Sequence, residues 1–252
     1  MEKLWDLNHT LAGEYLGQFA RPWQALAGIG AFLEEIMQNA KCKMQSDYPS
    51  VSCPDTSPKV NCRKAAREAA LGRDKGRRLG CGEYRELSEG VWVHETAKVA
   101  PSAVILPPCI IGAHTEIRTG AFLRGSVLVG ENCVVGNSVE IKNAILFDGV
   151  QVPHFNYVGD SILGYKAHFG AGAVTSNVRG DKGLVKIAGE DTGRKKVGAF
   201  VGDFGEIGCN AVLNPGVIIG RNAQVYPTSC VRGIVPGNSI YKNDGSIVRK
   251  NA

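Results

Sequence analysis

The chain has 252 residues, 44% of them hydrophobic, with a formal net charge of +5 and eight cysteines. This length suits one extended domain with an appendage, and no apolar run reaches the roughly 18 residues of a membrane-spanning helix. Residues 1–8 lack the basic and apolar segments of a signal peptide. The sequence therefore predicts a cytoplasmic protein, without a membrane partner, whose cysteines are thiols and not a disulfide framework.

Residues 1–40 are predicted to form a short helical extension. Asn8 or Thr10 can cap a first helix, and Pro22 suits the first turn of a second helix that runs toward Met37. This second helix carries a stripe of apolar residues: Trp23, Leu26, Ala27, Ile29, Phe32, Leu33 and Ile36. We expect the stripe to pack against the end of the domain that follows.

Residues 41–90 are predicted to be an irregular, basic linker with a short helix across Lys64–Leu71. Its basic side chains are concentrated between Lys59 and Arg78, and no aromatic residues lie among them to stack on bases. We therefore favour a solvated segment over one that binds nucleic acid. A weak alternative is a structural zinc site, although none of its cysteines forms a C-x-x-C pair: Cys42, Cys53, Cys62 and Cys81.

The dominant pattern is an aliphatic residue at every sixth position, which begins at Val93 and resumes later from Val201 to Val231. Neither a helix of 3.6 residues per turn nor the two-residue alternation of a strand produces this spacing. Sandwich strands also need turns, but they do not hold one spacing for so long. The sequence predicts a mainly β fold, a parallel β-helix over residues 91–241, with the first unbroken run at Val93, Val99, Ile105, Ile111, Ile117, Leu123, Val129, Val135 and Ile141.

The repeat is interrupted in two ways. After Ile141 two of the steps are five residues long, and such slips can open a pocket near His154 and Tyr157. Residues 178–197 then lose the register and are predicted to be an inserted loop, either an arm that faces an anion or a solvated hairpin. Residues 242–252 are a C-terminal tail.

Two cations and a histidine are the candidate site residues. Arg124 and Lys142 are 18 residues apart, so three six-residue steps per coil would stack them on adjacent coils, about 4.8 Å apart. Such a pair can clamp a phosphate, or the two charges can be solvated and neutralised by Glu140 or Asp160. His154 is the leading candidate for a general base, with a purely structural histidine as the alternative.

Longer motifs carry a specific resemblance. GAFLRG, VEIKNAIL, VPHFNYVGDSILG and FGAGAVTSN resemble the acetyltransferase domain of the bifunctional bacterial glucosamine-1-phosphate acetyltransferase and N-acetylglucosamine-1-phosphate uridylyltransferase family. EDTGRKKVGAFVGD and LNPGVIIG resemble archaeal-type sugar-phosphate nucleotidyltransferases with the same domain. The resemblance implies a left-handed β-helix that forms a homotrimer with active sites between subunits. The nucleotidyltransferase domain of the family has no counterpart in this sequence.

The resemblance also implies the roles of individual residues. His154 matches the catalytic base, while Ala171 and Arg232 match contacts to acetyl-CoA, the co-substrate. The remaining matches bind the sugar phosphate: Arg124, Lys142, Tyr157 and Asn177, with His168 at a position where the family has asparagine. Val178 and Lys182 are further departures from the family pattern.

The implied function is acetyl-CoA-dependent N-acetylation of an amino-sugar phosphate such as glucosamine 1-phosphate, by direct transfer and without a metal. This reaction belongs to UDP-N-acetylglucosamine biosynthesis. One alternative is a sugar-phosphate or nucleotide-sugar binding module that has lost turnover. Another is a zinc enzyme like the γ-class carbonic anhydrases, with His114, His154 and His168 as the available ligands.

Overall fold

A computed structural model describes residues 3–46 and 83–250. The helix predicted at Lys64–Leu71, the basic run from Lys59 to Arg78, and Cys53, Cys62 and Cys81 lie outside the described residues. Among the residues in these two ranges, no helix is both long enough and apolar enough to cross a bilayer.

The chain folds into a parallel β-helix of about eight coils, which confirms the predicted fold class. Its left hand stays a prediction of the resemblance. Short strands stack into three faces. Face I contains Val91–His94, Cys109–Ile111, Val127–Val129, 144–146, 161–163, Ala199–Val201, Val217–Ile219 and Ile234–Val235. Face II contains Val104–Leu106, Phe122–Arg124, 140–142, 157–159, Val174–Thr175, Val212–Leu213 and Cys230–Val231. Face III contains Lys98–Val99, Glu116–Ile117, Val134–Asn137, Gln151–His154, His168–Phe169, Glu206–Ile207, Gln224–Val225 and Ser239–Tyr241.

The six-residue period corresponds to an inward aliphatic side chain that recurs at the same position of each face. Ile111 pairs in register with Val93 on the coil before and with Val129 on the coil after, and all three are fully buried. Residues two positions earlier, such as Cys109 and Val127, also point inward because side chains alternate along a strand. The solenoid core is therefore a stack of aliphatic layers.

The two five-residue steps are accommodated at corners of the solenoid, and the opening of a pocket beside them stays a prediction. At each step the corner between face II and face I shrinks to a single residue, Asn143 or Asp160, with φ of 47° and 48°. These residue types adopt the left-handed conformation more readily than most. As a result, Glu140–Leu146 and Tyr157–Leu163 run continuously across the corner, and the inward side chains on both sides of it remain buried.

The N-terminal extension consists of a 3₁₀ turn at Leu7–His9 and helices Gly13–Gly17, Pro22–Ala25 and Ile29–Ser46. The helix predicted from Pro22 toward Met37 is thus two helices. The carbonyl of Ala25 accepts hydrogen bonds from the Tyr15 hydroxyl and from the N–H of Gly28. Gly28 lies so close to Tyr15 that a Cβ would be 2.8 Å from its Oη, and the chain turns there.

The extension covers face I, and the expectation that it packs against the end of the solenoid was wrong. The Trp5 Nε1 donates to the Val201 carbonyl at 2.7 Å, and the Asn143 amide donates to the Leu26 carbonyl at 3.2 Å. The helix Ile29–Ser46 contacts strands Val127–Val129 and Glu140–Leu146. Beneath the extension, the outward residues of face I are buried: Trp92, Ile110, Leu128, Ile145, Ile162 and Phe200.

Four short strands of the described residues lie outside the three stacked faces. Tyr84–Ser88, within the predicted irregular linker, pairs antiparallel with Val91–His94. Ile247–Arg249, in the predicted tail, pairs antiparallel with Ser239–Tyr241. The inserted segment folds back as an antiparallel pair, Lys186–Ile187 with Glu190–Asp191. The two terminal pairings cover sheet edges that would otherwise be open to another chain.

Candidate active site

One outward row of side chains runs along face II beside its edge with face I. Leu123 pairs with Ile141, so the next residues, Arg124 and Lys142, occupy neighbouring positions on adjacent coils, as the 18-residue spacing predicts. Lys142 is in turn in register with Gly159. We call this the outward row; it consists of Leu106, Arg124, Lys142, Gly159, Ser176, Asn214 and Arg232.

Arg124 and Lys142 both have carboxylate neighbours, as the alternative of a neutralised pair predicted. Arg124 Nη1 lies 2.6 Å from Glu140 Oε1, and this bond raises the pKa of the guanidinium. Lys142 Nζ lies 3.9 Å from Asp160 Oδ2, which is beyond hydrogen-bond distance. Since a guanidinium carries five N–H donors and an ammonium carries three, both side chains keep donors that a phosphate could use.

A buried carboxylate organises this region. Asp160 is 3% exposed, and its two oxygens accept from Asn143 Nδ2 at 2.8 Å and from Asn177 Nδ2 at 2.6 Å. The Asn177 amide also lies 3.2 Å from Tyr157 Oη. Asp160 therefore fixes two amides and attracts the Lys142 ammonium. Its role in the site was not predicted, although the five-residue steps mark both Asn143 and Asp160.

Tyr157 lies over Gly159. A Cβ on Gly159 would be 2.7 Å from Tyr157 Cζ, so glycine is required for the ring to rest there. Burial, and then the negative charge of Asp160, raise the pKa of the Tyr157 hydroxyl above its ordinary value. The hydroxyl is therefore neutral near pH 7 and can both donate and accept hydrogen bonds.

His154 projects from the corner between face III and face II. Asn156, 2% exposed, holds this corner: its Oδ1 accepts from the His154 N–H, and its Nδ2 donates to the carbonyls of Gly170 and Ala173. Phe155 occupies the left-handed region with φ of 53° and is 62% exposed. The same left-handed corner recurs on neighbouring coils at Gly120, Ser138 and Gly172, so this conformation belongs to the regular turn of the solenoid.

The predicted site residues are divided between the two edges of face II. Arg124, Lys142 and Asn177 lie toward face I, whereas His154 lies at the opposite corner, roughly 10–15 Å away at 3.3 Å per residue. Ala171 shares the histidine's corner one coil on, where the N–H of Gly172 donates to the His154 carbonyl. One chain alone therefore does not bring the base to the cations.

The other two predicted residues lie farther off. His168 is on face III, three residues before the corner, and its Nδ1 lies 2.9 Å from Glu206 Oε2. Arg232 is at the far end of the outward row and lines a cavity against the insert. Within residues 3–46 and 83–250, no three histidine, cysteine, aspartate or glutamate side chains converge to hold a metal ion. The zinc alternative thus gains no support within one chain.

Comparisons with known proteins agree with the motifs. Residues 107–196 match the family model described as the GMPPB C-terminal domain. A bifunctional sugar-1-phosphate nucleotidylyltransferase/acetyltransferase of Sulfurisphaera tokodaii is 35% identical over 156 residues, which cover 60% of this chain and 39% of that protein. The bifunctional protein GlmU of Methanococcus maripaludis is 36% identical over 134 residues, covering 52% and 33%.

Among solved structures, the chain is similar to a UDP-N-acetylglucosamine O-acyltransferase from Moraxella catarrhalis. The TM-score is 0.43 with 16% identity, over 62% of this chain and 71% of that one. The chain spans about two fifths or less of the length of the two curated relatives above. Their sequence similarity confirms the resemblance to the acetyltransferase-type domain that the motifs predicted.

Proposed function

We propose that the chain is an acetyl-CoA-dependent N-acetyltransferase that acts on an amino-sugar phosphate such as glucosamine 1-phosphate. The observation that carries the proposal is the in-register pair Arg124 and Lys142 beside the network of Tyr157, Asp160 and Asn177 on one face. Two cations with free donors suit a phosphate, while the hydroxyl and the amide suit sugar hydroxyls.

In the proposed reaction His154 acts as the general base. It removes a proton from the substrate ammonium, and the amine nitrogen then attacks the thioester carbonyl of acetyl-CoA. Collapse of the tetrahedral intermediate breaks the C–S bond, and the leaving thiolate takes up the proton that the attacking nitrogen loses as it becomes an amide. No covalent acyl-enzyme is required, and phosphate binding at Arg124 and Lys142 orients the amine for attack.

We further propose that the active site forms between copies of the chain in a homotrimer. The base and the cations lie at opposite edges of face II, so a neighbour whose corner carries His154 could complete the site. The exposed aromatic ring of Phe155 beside that histidine suits a contact surface. We assign the reaction to the cytoplasm, where the unpaired thiols of Cys209 and Cys230 would stay reduced.

One observation favours the alternative of a binding module without turnover. The His154 ring has no hydrogen-bond partner among the described residues, whereas a general base is usually oriented by one. A neighbouring subunit or the substrate would have to supply that partner for catalysis. Without a hydrogen-bond partner for the His154 ring, the chain would bind the sugar phosphate but would not acetylate it.

The test is release of CoA thiol from acetyl-CoA with glucosamine 1-phosphate and a small panel of other amino-sugar phosphates. We expect turnover by the wild type, loss of at least 100-fold in His154→Ala, and a raised sugar-phosphate KM in Arg124→Ala. Thermal stabilisation by the sugar phosphate without turnover, lost in Arg124→Ala, would establish the binding module instead. Stoichiometric zinc in the purified protein would revive the zinc enzyme.

A further inference from the structure

An apolar patch lies on face II beside the two cations, at the start of the solenoid. In each of the first two strands of this face the central residue, Ile105 or Leu123, packs toward the core. The two flanking residues of each strand therefore point outward, because side chains alternate along a strand. Three of these four outward side chains are apolar, and we call them the apolar ledge: Val104, Leu106 and Phe122.

The apolar ledge is open to solvent. Val104 is 52% exposed and Leu106 is 42% exposed, whereas the outward apolar residues of face I are buried under the helical extension. Within residues 3–46 and 83–250, the strand Val104–Leu106 pairs only with Phe122–Arg124, so its outer edge has no partner strand. A contiguous exposed apolar patch of this kind marks a binding surface.

The apolar ledge is continuous with the proposed phosphate site. Leu106 pairs in register with Arg124, the fourth outward residue of these two strands. The Arg124 guanidinium carbon lies 5.9 Å from the centre of the Phe122 ring. The outward row thus changes from apolar to cationic within one coil. A ligand that spans both parts needs an anionic group joined to an apolar ring.

The order of groups along the row sets the direction of such a ligand. Tyr157 and Asn177, the proposed sugar contacts, lie on the far side of Lys142 from the apolar ledge. Any group attached to the other side of the phosphate would therefore point toward the ledge. Glucosamine 1-phosphate has no such group, whereas a nucleoside diphosphate sugar has a second phosphate, a ribose and a base. Its two phosphates carry one negative charge each, which suits two cations on adjacent coils.

The distances along the row agree with this ligand. Leu106 lies one coil before Arg124 and two coils before Lys142, about 4.8 Å and about 9.6 Å at the spacing of paired strands. About six bonds separate the nucleoside phosphorus from the base, roughly 7 Å at the reach of an extended chain. A base can therefore rest on the apolar ledge while both phosphates contact the cations.

We propose that the apolar ledge binds the base of a nucleoside diphosphate, so that the amino sugar acetylated by this chain is carried on a nucleotide. The inference rests on the proposed function and narrows its substrate class. Phe122 would supply an aromatic ring for stacking, with Leu106 and Val104 beside it. Because every base has a face that can stack, uracil and guanine nucleotides should bind with similar affinity.

The activity test compares glucosamine 1-phosphate with UDP-glucosamine, the same amino sugar on a nucleotide. We expect the wild type to have a kcat/KM at least tenfold higher for UDP-glucosamine. Leu106→Ser should remove this gain and leave the kcat/KM for glucosamine 1-phosphate unchanged. The matched control is Ile247→Ser, which changes a residue of the C-terminal strand that is 44% exposed, and it should behave as the wild type with both substrates.

Binding is measured separately from turnover, by calorimetry on the full chain with UDP and with inorganic pyrophosphate. Leu106→Ser should raise the Kd for UDP about tenfold, because the base loses part of its apolar contact. The Kd for pyrophosphate should be unchanged, since this ligand contacts the cations but does not reach the apolar ledge. Ile247→Ser should leave both Kd values at those of the wild type.

The outcomes separate this inference from the proposed function. If UDP-glucosamine is no better a substrate than glucosamine 1-phosphate, or if Leu106→Ser leaves the Kd for UDP unchanged, the inference is wrong, while turnover of glucosamine 1-phosphate keeps the proposed function. If neither substrate is turned over, the proposed function fails and the Kd for UDP alone decides the base site. A smaller assembly of Leu106→Ser in light scattering, with unchanged UDP binding, would show that the apolar ledge is a contact between copies of the chain and would also overturn the inference.

Discussion

Asn177 donates its side-chain amide to Asp160 on the adjacent coil, with 2.6 Å between Nδ2 and Oδ2. The other carboxylate oxygen accepts from Asn143 on the opposite side. Asp160 thus links three successive coils at the edge where the sugar phosphate is proposed to bind. Because the carboxylate is buried and also faces the Lys142 ammonium, we infer that it positions both Asn177 and Lys142.

Replacing Asp160 with asparagine tests this positioning role. The change preserves shape but turns one acceptor into an N–H₂ group, which would face the amide of Asn177 or Asn143. An unsatisfied buried polar group costs about 1–3 kcal/mol. We expect the KM for the sugar phosphate to rise about tenfold or more in Asp160→Asn, with the KM for acetyl-CoA unchanged, in steady-state kinetics.

The matched control is Glu116→Gln, which removes a partly exposed carboxylate paired with Arg118 on face III. It should leave both KM values unchanged. If Asp160→Asn lowers only the melting temperature and leaves the sugar-phosphate KM at the wild-type value, Asp160 is structural and does not position the ligands.

Gly159→Ala should displace Tyr157 without breaking the solenoid. The new methyl group would be 2.7 Å from Tyr157 Cζ, and the end of this side chain can swing outward into solvent. The contact between Tyr157 Oη and the Asn177 amide would then be lost. We expect a sugar-phosphate KM raised about as much as in Tyr157→Phe, with a melting temperature within a few degrees of the wild type. Normal kinetics in Gly159→Ala would mean that the ring position is irrelevant to binding.

The repeat in the sequence predicts the solenoid well because each six-residue step has one structural meaning, an inward side chain. It also predicts the neighbouring positions of Arg124 and Lys142, since stacking follows from period alone. What the period does not encode is how a step is shortened. The five-residue steps become tight corners at Asn143 and Asp160, because a single left-handed residue can replace a longer turn.

The sequence analysis also did not predict that the N-terminal extension covers face I, although the sequence contains a signal for it. Trp92, Ile110, Leu128 and Phe200 lie between two inward positions, so strand alternation points them outward. Large apolar side chains at the outward positions of face I indicate that another element covers this face. The apolar stripe of the N-terminal helices provides that cover.

The ion pairs of Arg124 and Lys142 depend on side-chain conformations across coils. The 18-residue spacing alone therefore left open whether the two cations bind a phosphate or are neutralised by carboxylates.

The cover should contribute strongly to stability. Leu33 is fully buried where the long helix packs over face I, whereas its neighbour Glu34 is exposed. Truncation of a buried leucine to alanine typically costs about 2–5 kcal/mol. We expect Leu33→Ala to lower the midpoint of thermal unfolding by several degrees, and Glu34→Ala to leave it nearly unchanged. Equal midpoints for the two variants would indicate a helix that is only loosely attached.

Thiol reactivity should follow burial. Complete burial raises the pKa of the Cys133 thiol to about 12 and also raises that of Cys109, so both stay protonated at pH 8. The thiolate is the reactive form, and Cys209 and Cys230 are exposed. Brief iodoacetamide treatment of the folded protein at pH 8, followed by peptide mapping, should label Cys209 and Cys230 only among these four. Labelling of all four should require denaturant, and early modification of Cys133 would contradict the packed core.

Mixing two impaired variants tests whether the site lies between subunits. His154→Ala keeps the cations at the face I edge, and Arg124→Ala keeps the base at the opposite corner. If each site takes its base from one chain and its cations from a neighbour, random mixed assemblies would contain both intact halves at about a quarter of their sites. We expect the mixture, unfolded and refolded together and assayed well below the sugar-phosphate KM of Arg124→Ala, to regain about that fraction of wild-type turnover, while each variant refolded alone shows little. A site contained in one chain would give no recovery, and size measurement by light scattering would then report whether the assembly itself had formed.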